Sequence, residues 1–336
     1  MARVLLTGVA GMIGYHLAIR LIESGHQVRG CDSFTAYYDV RLKQDRCDAL
    51  KKSHGLSTDR VDLCDADGFA EYYSSFKPEI VINLAAQPGV RQGLSEPHQY
   101  VDSNIVGFTN VLDMCRRMPP RHLLYASSSS VYGANTEKPW SEDHATEVPV
   151  SLYAATKKAN ELMAHSYSHI TGVPMTGIRF FTVYGEWGRP DMAPYMFASS
   201  VRAGKQITVF NHGKMSRDFT YVGDAAEAVV RMMDVVPDRN SGGGEGISPV
   251  APHRVINVGS GNPVDIGDFI RILEKVLGRE AIIKYAERAA GDVIDTYAST
   301  ARLLKLTGYA PLTPFETGLQ KLCAWLEEYE AGKPSN

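Results

Sequence analysis

The glycine-rich stretch TGVAGMIG constrains the fold most, because it follows the apolar run RVLL and opens a helical pattern. It places Gly8, Gly11 and Gly14 at a strand-to-helix turn. Such a turn needs residues that tolerate unusual φ angles, and a phosphate approaches the backbone closely only where no Cβ intervenes. The start of the helix adds free N–H donors and the positive end of a dipole. The stretch therefore predicts a phosphate-binding loop, although its GxxGxxG spacing differs from the commoner GxGxxG.

The rest of the first half alternates apolar runs with helical patterns. EIVINLAA and RHLLYASS are typical of strands buried on both faces, whereas HQYVDSNIVGFTNVLDMCRRM and SLYAATKKANELMAHSYSHITG have helical spacing. This alternation predicts right-handed βαβ crossovers and an α/β fold with a Rossmann-type doubly wound parallel sheet. A smaller C-terminal α/β lobe is expected beside the sheet, with a ligand between them at the carboxyl ends of the strands.

Asp32 ends the second strand-like run, QVRGCD. A carboxylate at this point is suited to bind the adenosine ribose of a dinucleotide. Its charge would repel a 2′-phosphate and no arginine follows it directly, so we expect NAD rather than NADP. The alternative is a structural turn followed by a surface aspartate.

Composition sets broad limits on partners. The chain has 336 residues, of which 44% are hydrophobic and 22% are charged, and its net charge is −3. That is enough for a large α/β unit and a smaller lobe, and no long basic run indicates nucleic acid or an anionic membrane surface. No apolar run is long enough to span a bilayer, and the glycine loop begins too early for a signal peptide. The five cysteines include no CxxC pair, so we expect reduced thiols in a cytoplasmic protein.

The stretch YASSSSVYG raises a question of chemistry, because four serines follow a strand and no acid accompanies them. Downstream, SLYAATKKAN places Tyr153 and Lys157 one helical turn apart. The ordinary pKa of tyrosine, about 10, is too high for a base at neutral pH. We expect the Lys157 ammonium and the positive charge of an oxidised nicotinamide to lower the pKa of Tyr153. A surface Tyr and Lys one turn apart are common, so the pair alone indicates little.

Together, the glycine loop, the serine at a strand end and the YxxxK helix resemble the extended branch of the short-chain dehydrogenase/reductase superfamily, over nearly the whole chain. The resemblance implies a catalytic triad of Ser128, Tyr153 and Lys157. Tyr153 would move the proton of a sugar hydroxyl, Ser128 would hydrogen-bond the same oxygen, and Lys157 would hold the nicotinamide ribose. The implied cofactor contacts, besides the glycine loop and Asp32, are Asp62, Leu63, Leu84, Ala85, Ala86, Gln87, Asn104, Tyr153 and Lys157.

The presence or absence of an acidic residue after the catalytic hydroxyl residue distinguishes the enzyme classes of this branch. Dehydratases carry Asp-Glu directly after the catalytic hydroxyl residue, and decarboxylases carry Glu at the second position after it. Here the two positions are Ser129 and Ser130. Without a carboxylate on this strand, C5 deprotonation or water elimination has no evident catalyst. Hydride removal and return at C4 remain, which is the reaction of an epimerase with tightly bound, recycled NAD. Ser129 is a candidate assistant, whereas Ser127 and Ser130 are expected to serve backbone or cofactor contacts.

The segments RFFTVYGEWGRPDMA (179–193) and VFNHGKMSRDFTY (209–221) resemble the UDP-glucuronate 4-epimerase group of the branch. Thr182 stands where the wider branch usually has Asn. Arg189 is the expected partner of the sugar carboxylate, because a guanidinium matches a carboxylate bidentately; the alternative is a loop arginine in a surface ion pair. The other implied substrate contacts are Ser129, Thr182, Val209, Asn211, Arg217 and Asp292. Members of the branch often have the motif RxxD, with its aspartate at the position of Asp292. Here Arg288 stands one residue earlier than that motif requires.

Three alternatives stay open: a 4-epimerase of a neutral or N-acetylated UDP-hexose, a UDP-glucuronate decarboxylase, and a dinucleotide-sensing protein without catalysis. The resemblance divides the chain into an NAD-binding Rossmann domain over 1–185 and a mainly UDP-sugar-binding lobe over 186–336, with a strand near 253–260 returning to the sheet. It also implies a homodimer through the helices of HQYVDSNIVGFTNVLDMC and the YxxxK motif. His165 and His169 have metal-capable spacing but no third ligand, so no metal is predicted.

Overall fold

Seven parallel strands form the central sheet of the computed structural model, which describes residues 1–90, 92–241, 244–287 and 293–332. The strands are β1 (Arg3–Thr7), β2 (Gln27–Asp32), β3 (Thr58–Arg60), β4 (Ile80–Asn83), β5 (His122–Ser128), β6 (Met175–Phe180), β7 (Thr182–Tyr184), β8 (Gln206–Phe210), β9 (Ser216–Tyr221), β10 (His253–Val258), β11 (Pro263–Asp265) and β12 (Ile282–Ala286). The helices are α1 (Met12–Glu23), α2 (Val40–His54), α3 (Ala66–Phe76), α4 (Pro97–Val101), α5 (Gly107–Arg117), α6 (Leu152–Thr171), α7 (Ala193–Arg202), α8 (Val222–Met233), α9 (Ile266–Leu277), α10 (Ala301–Thr307) and α11 (Phe315–Ala331).

The strand order of the central sheet is β10-β6-β5-β4-β1-β2-β3. The chain runs outward from β1 in one direction through β2 and β3, and in the other through β4, β5 and β6. This confirms the doubly wound sheet predicted from the sequence. The order reverses between β1 and β4, so a crevice opens at their carboxyl ends, where ligands of such sheets bind.

Helices cover both faces of the sheet because its central strands are apolar on both sides. Helices α1 and α8 pack on one face, where Leu17 and Val229 are fully buried. Helices α3, α5 and α6 lie in the core of the other face, around Phe108, Val111 and Ala164. Both ends of the α6 helix are therefore fixed by packing, which holds the YxxxK motif against the sheet.

The chain leaves the central sheet after β6. After Phe180 the chain enters β7, which pairs with β9 in a separate sheet of order β11-β9-β7, while β8 pairs with β12. Helices α7, α9 and α11 close an aromatic core in which the Phe197 and Phe269 rings stack at 5.4 Å. The lobe is thus attached at the carboxyl edge of the central sheet, the edge at which the candidate site lies. Strand β10 pairs with β6 at one end of the central sheet.

Within the described ranges, none of the helices combines the length and apolarity needed to cross a membrane. The two histidines of α6 are bound to a neighbouring loop: His165 Nε2 lies 2.9 Å from Ser248 Oγ, and His169 Nδ1 lies 2.7 Å from the Val250 carbonyl oxygen. One ring nitrogen of each histidine therefore makes a structural contact.

A buried histidine makes the stability of the fold depend on pH. His122 Nδ1 donates to the Met233 carbonyl at 3.1 Å, and Nε2 lies 2.9 Å from Thr176 Oγ1. Burial lowers the pKa of His122 to about 4, so the folded protein keeps this ring neutral. Above the ordinary pKa of about 6.5 neither state is protonated; below it only the unfolded chain binds the proton, and stability is lost until the pH reaches about 4.

We therefore expect His122 to cost about 2 kcal/mol of the free energy of unfolding at pH 5, since each pKa unit corresponds to about 1.4 kcal/mol. Urea unfolding of the wild type and of His122→Gln at pH 7 and pH 5 measures this contribution. The variant should lose about 2 kcal/mol less than the wild type between the two pH values. An equal loss in both proteins would contradict the assignment.

Candidate active site

The glycine loop between β1 and α1 is built from close backbone contacts. Gly8 has φ +75°, and a Cβ there would lie 2.7 Å from the Ala85 nitrogen. A Cβ on Gly14 would lie 2.2 Å from the Gly8 carbonyl oxygen. Gly11 precedes the first helical residue and provides no side-chain cap, so the start of α1 keeps its backbone N–H groups for a ligand. The three glycines lie where a pyrophosphate site requires them.

Asp32 lies beside this loop at the end of β2. Its carboxylate is buried and accepts hydrogen bonds from the Ala10 nitrogen at 3.2 Å and the Phe34 nitrogen at 2.8 Å. The sequence analysis did not identify Lys43, a buried cation of α2 whose charge acts on the same region. Its ammonium donates to Thr35 O and Oγ1 at 2.9 and 3.1 Å. Two of the three donors of this ammonium are therefore used within the protein, and the Asp32 carboxylate is the group suited to bind a ribose.

The segment after β4 lies at the crevice between the carboxyl ends of β1 and β4. The Ala85 nitrogen donates to Thr7 Oγ1, which fixes Leu84, Ala85 and Ala86 against β1. The Asn104 side chain accepts from the Gln87 nitrogen at 2.8 Å and donates to the Gln87 carbonyl at 3.1 Å. It lies in a π-helical turn, Asp102–Val106, between α4 and α5. In this geometry the Asn104 amide holds the loop backbone, so its role toward a cofactor is to position that loop.

Two donors at this edge have hydrogen-bonding capacity to spare. Gln87 Nε2 is buried, and within the described part of the chain it has no hydrogen-bond partner of normal geometry, although its side chain acts on the Tyr100 phenol. Lys157 Nζ is also buried and donates to the Ala126 carbonyl at 2.8 Å, although an ammonium has three donors. Ribose hydroxyls and a carboxamide oxygen would satisfy such groups. The residues present therefore fit a nicotinamide dinucleotide.

Asp62 and Leu63 follow β3, on the adenosine side of the predicted site. Asp62 Oδ1 accepts from the Cys64 nitrogen at 2.9 Å, and the Leu63 carbonyl accepts from Asn110 Nδ2 at 2.7 Å. These contacts anchor the turn to α5. Asp62 keeps an exposed carboxylate oxygen, and the role of both residues toward an adenine stays a prediction.

The predicted triad comes together at the carboxyl end of β5. Ser128 is the last residue of that strand and is buried, and its Oγ accepts from the Ser130 nitrogen at 3.1 Å. Tyr153 and Lys157 lie on the first turns of α6, with Lys157 Nζ 5.9 Å from the centre of the Tyr153 ring. The Ser128 hydroxyl interacts with the Tyr153 phenol. The three side chains thus share one small region of the crevice.

Burial raises the pKa of Tyr153 above its ordinary value, and the Ser128 hydroxyl and the positive charge of Arg189 offset only part of that rise. Burial also lowers the pKa of Lys157 to about 8, and its ammonium donates to the Ala126 carbonyl. The expectation that Lys157 and an oxidised nicotinamide together lower the pKa of Tyr153 concerns the protein with bound cofactor, and it stays a prediction.

The four serines have separate roles. Ser127 Oγ donates to Glu161 Oε1 at 2.6 Å, and Glu161 forms a buried bidentate pair with Arg179 at 2.8 and 2.9 Å. The expected backbone or cofactor contact of Ser127 is thus replaced by a contact to a core ion pair. Ser129 and Ser130 lie in a 3₁₀ turn after the strand, where both are partly exposed. The Glu161 carboxylate is fully engaged and cannot act as a base on a ligand.

A strained turn presents the predicted sugar-acid partner. Gly185 has φ +145° and Trp187 has φ +56°, a conformation rare for a side-chain-bearing residue. Arg46, fully buried on α2, donates to the Trp187 carbonyl at 2.6 Å and to the Ala10 carbonyl at 2.8 Å. It therefore clamps this turn to the glycine loop. The sequence analysis did not identify Arg46. The available signal is its position on the apolar side of α2, a helix that the sequence analysis did not predict.

Arg189 follows this turn and is already paired. Its Nε and Nη2 donate to Asp191 Oδ1 and Oδ2 at 3.0 and 2.5 Å. Its charge reaches Tyr153, whose pKa it lowers. The alternative, an ion pair of a loop arginine, is therefore present, and the charge of this arginine lies within electrostatic reach of Tyr153.

Of the other predicted substrate residues, Thr182, Val209 and Arg217 lie on β7, β8 and β9, and Asn211 directly follows β8. Thr182 begins β7 and is partly buried, whereas Val209 on β8 is fully buried and Asn211 Nδ2 donates to the Lys214 carbonyl. Arg217 on β9 donates to the carbonyls of Val293 and Ile294, each at 2.8 Å. Asp292, predicted as a ribose ligand, and Arg288 lie outside the described residues.

A doubly wound sheet with a glycine loop at its crevice and a Ser–Tyr–Lys set beside it defines a dinucleotide-dependent enzyme of the Rossmann type. Comparison with known proteins is more specific. The family model described as NAD dependent epimerase/dehydratase matches residues 4–259, so the chain belongs to that family.

Individual relatives are similar over their whole length. A probable UDP-glucuronate 4-epimerase of Rhizobium meliloti is 44% identical, and the alignment covers 97% of each protein. The crystal structure of UDP-glucuronic acid 4-epimerase from Bacillus cereus with UDP-glucuronic acid and NAD has a TM-score of 0.87 at 29% identity, covering 97% of this chain and 99% of that one. UDP-glucose 4-epimerase from Thermus thermophilus with NAD has a TM-score of 0.83 at 26% identity, with the same coverage.

Proposed function

We propose that the protein is a UDP-glucuronate 4-epimerase, which interconverts UDP-glucuronate and UDP-galacturonate through a transient 4-keto sugar with tightly bound NAD. The observation that carries the proposal is the Arg189 guanidinium, whose charge acts on Tyr153, together with a β5 end that bears serines instead of acids. The names of the relatives above support the same reaction. The alternative without catalysis is disfavoured because a sensor needs no tyrosine directed at a substrate.

Each member of the triad has a distinct task. A bound NAD would supply the acceptor of the C4 hydride and the donor that returns it. Tyr153 removes the proton of the C4 hydroxyl and later gives it back, while Ser128 hydrogen-bonds the same oxygen and Ser129 assists. Lys157 uses its free donors to hold the ribose of the nicotinamide. The loop held by Asn104 and the carboxylate of Asp32 position the two ends of the cofactor.

Epimerisation is favoured over decarboxylation for an electrostatic reason. Removing the C5 proton or stabilising an enolate needs a nearby acid or base, and the positions after Ser128 are both serines. Glu161 is bound to Ser127 and Arg179. A C4 ketone next to the C5 carboxylate still makes a β-keto acid, which loses CO₂ when the C5–carboxylate bond aligns with the ketone. We propose that Arg189 and Thr182 hold that bond out of alignment.

The nucleotide is held by the second lobe in this proposal. Val209 and Asn211 at the end of β8 face the uracil, Arg217 binds the pyrophosphate and Asp292 binds the uridine ribose. The division of the chain follows: residues 1–185 bind NAD, and residues 186–336 mainly bind the UDP-sugar. Firm binding of UDP would allow the sugar to move while the substrate stays bound.

Product analysis with three substrates tests the proposal. Purified protein is incubated separately with UDP-glucuronate, UDP-glucose and UDP-N-acetylglucosamine, and sugar protons and CO₂ are followed. We expect kcat/KM for UDP-glucuronate to exceed the others by about 100-fold, the worth of a bidentate charged contact. A preference for UDP-glucose would make the protein a neutral-sugar 4-epimerase. CO₂ with a UDP-pentose would make it a decarboxylase.

We also propose a homodimer formed by the α4–α5 stretch and α6. Val101, Val106 and Leu162 in these segments are 41, 42 and 60% exposed, so each leaves an apolar side chain uncovered. Sedimentation should give twice the mass of the chain, and Leu162→Glu should give a monomer. The matched control is Leu312→Glu, also at an exposed leucine but away from these helices, which should remain dimeric. A monomeric wild type would contradict the proposal.

A cytoplasmic location is the last element of the proposal. All five cysteines are free, and four of them, Cys31, Cys47, Cys115 and Cys323, are buried in the core as reduced thiols. Proteins with this pattern are typical of reducing compartments. Fractionation of the source cells would test the location.

A further inference from the structure

Asp191, the carboxylate partner of Arg189, bears on how firmly a sugar carboxylate can be held in the site. Asp191 takes up the Nε–Nη2 edge of the guanidinium with two charge-assisted hydrogen bonds, and Tyr37 donates to Asp191 Oδ2 at 3.3 Å. The Arg189 and Asp191 side chains are 19 and 31% exposed. The pair therefore lies in a partly desolvated wall, where charges interact more strongly than in water.

A sugar carboxylate that approaches Arg189 meets a charge that is already neutralised. It can bind the remaining donors of the guanidinium or compete with Asp191 for the occupied edge. In both cases the negative charge of Asp191 repels it and weakens the bond to Arg189. Since the hydride leaves one face of C4 and returns to the other, the keto sugar must turn over between the two steps. A carboxylate held too firmly would prevent that movement.

We propose that Asp191 is a positioning residue that competes with the sugar carboxylate for Arg189 and so keeps the hold weak enough for the 4-keto sugar to turn. The inference rests on the proposed function. Tyr37 keeps Asp191 within reach of Arg189, so the guanidinium regains its partner whenever the sugar carboxylate leaves. The arrangement exchanges one carboxylate for another, so that the guanidinium is not left without a carboxylate partner during the movement.

The test is Asp191→Asn, measured on the NAD-containing protein. Calorimetry gives Kd for UDP-glucuronate and for UDP, which has no sugar acid, and product analysis gives kcat. We expect UDP-glucuronate to bind about 10-fold more tightly, UDP to bind as in the wild type, and kcat to fall about 10-fold. The matched control is Asp234→Asn, which removes an aspartate paired with Arg121 at the opposite edge of the sheet and should change neither constant.

A second variant distinguishes the effect of the charge of Asp191 from the effect of its shape. Asp191→Glu keeps the competing charge and should return Kd and kcat toward the wild-type values, and Asp191→Ser replaces Asp191→Asn if the latter does not fold. Unchanged or weaker binding of UDP-glucuronate by the neutral variants would overturn the inference, because a residue that only orients Arg189 gives that result. A wild type that does not epimerise UDP-glucuronate would overturn the proposed function and this inference with it.

Discussion

Tyr153→Phe should lower kcat for UDP-glucuronate about 1,000-fold while binding of NAD and UDP-glucuronate stays within about twofold of the wild type. General acid–base catalysis contributes about 10²- to 10⁴-fold, and the phenol is the group that exchanges the C4 proton. The ring is retained, so packing against Tyr100, whose ring centre lies 6.4 Å away, is kept. Steady-state kinetics and calorimetry separate the two effects.

The matched control for this prediction lies on the same helix. Tyr167→Phe removes a phenol hydroxyl from α6 on the side that packs into the core, away from the triad. It should leave kcat within about twofold. If Tyr153→Phe retained more than a tenth of the wild-type kcat, another group would have to move the proton, and the assignment of Tyr153 would be wrong.

Arg189→Lys should lower kcat/KM for UDP-glucuronate about 100-fold and leave the affinity for UDP unchanged. The substitution keeps the positive charge but loses the planar fork that binds a carboxylate bidentately, and hydrogen bonds to charged groups contribute about 1.5–3 kcal/mol. Kinetics with UDP-glucuronate and calorimetry with UDP measure the two values.

Arg121→Lys supplies the comparison, because Arg121 is also paired with an aspartate but lies before β5, at the amino edge of the sheet. It should have no effect on either value. Full activity of Arg189→Lys toward UDP-glucuronate, or an equal loss of UDP binding, would show that Arg189 does not recognise the sugar acid.

Local sequence patterns predicted the elements that depend on neighbouring residues. The glycine loop, the end of β2 at Asp32 and the turn spacing of Tyr153 and Lys157 are set by short-range geometry. The hydrophobic pattern does not predict helix α2, although Asp39 caps its start and Gly55 ends it in a left-handed conformation. Both capping signals are visible in the sequence, but the low hydrophobicity of the segment conceals its helical face.

Contacts between distant segments could not be read from the sequence. Arg46 and the Trp187 carbonyl, or Ser127 and Glu161, come together only when the sheet and its helices pack. The rise in the pKa of Tyr153 comes from burial, which depends on how the sheet and α6 pack. The ion pair that was the alternative role of Arg189 is formed with Asp191, and the fold brings the charge of Arg189 within electrostatic reach of Tyr153.

The measurement that tests the central claim most directly is epimerisation of UDP-glucuronate carrying deuterium at C4, by purified protein without added NAD. The account predicts UDP-galacturonate that keeps the deuterium at C4 and no release of CO₂, because the same hydride leaves and returns while NAD stays bound. Product with hydrogen at C4, a requirement for added NAD, or release of CO₂ with a UDP-pentose would contradict it.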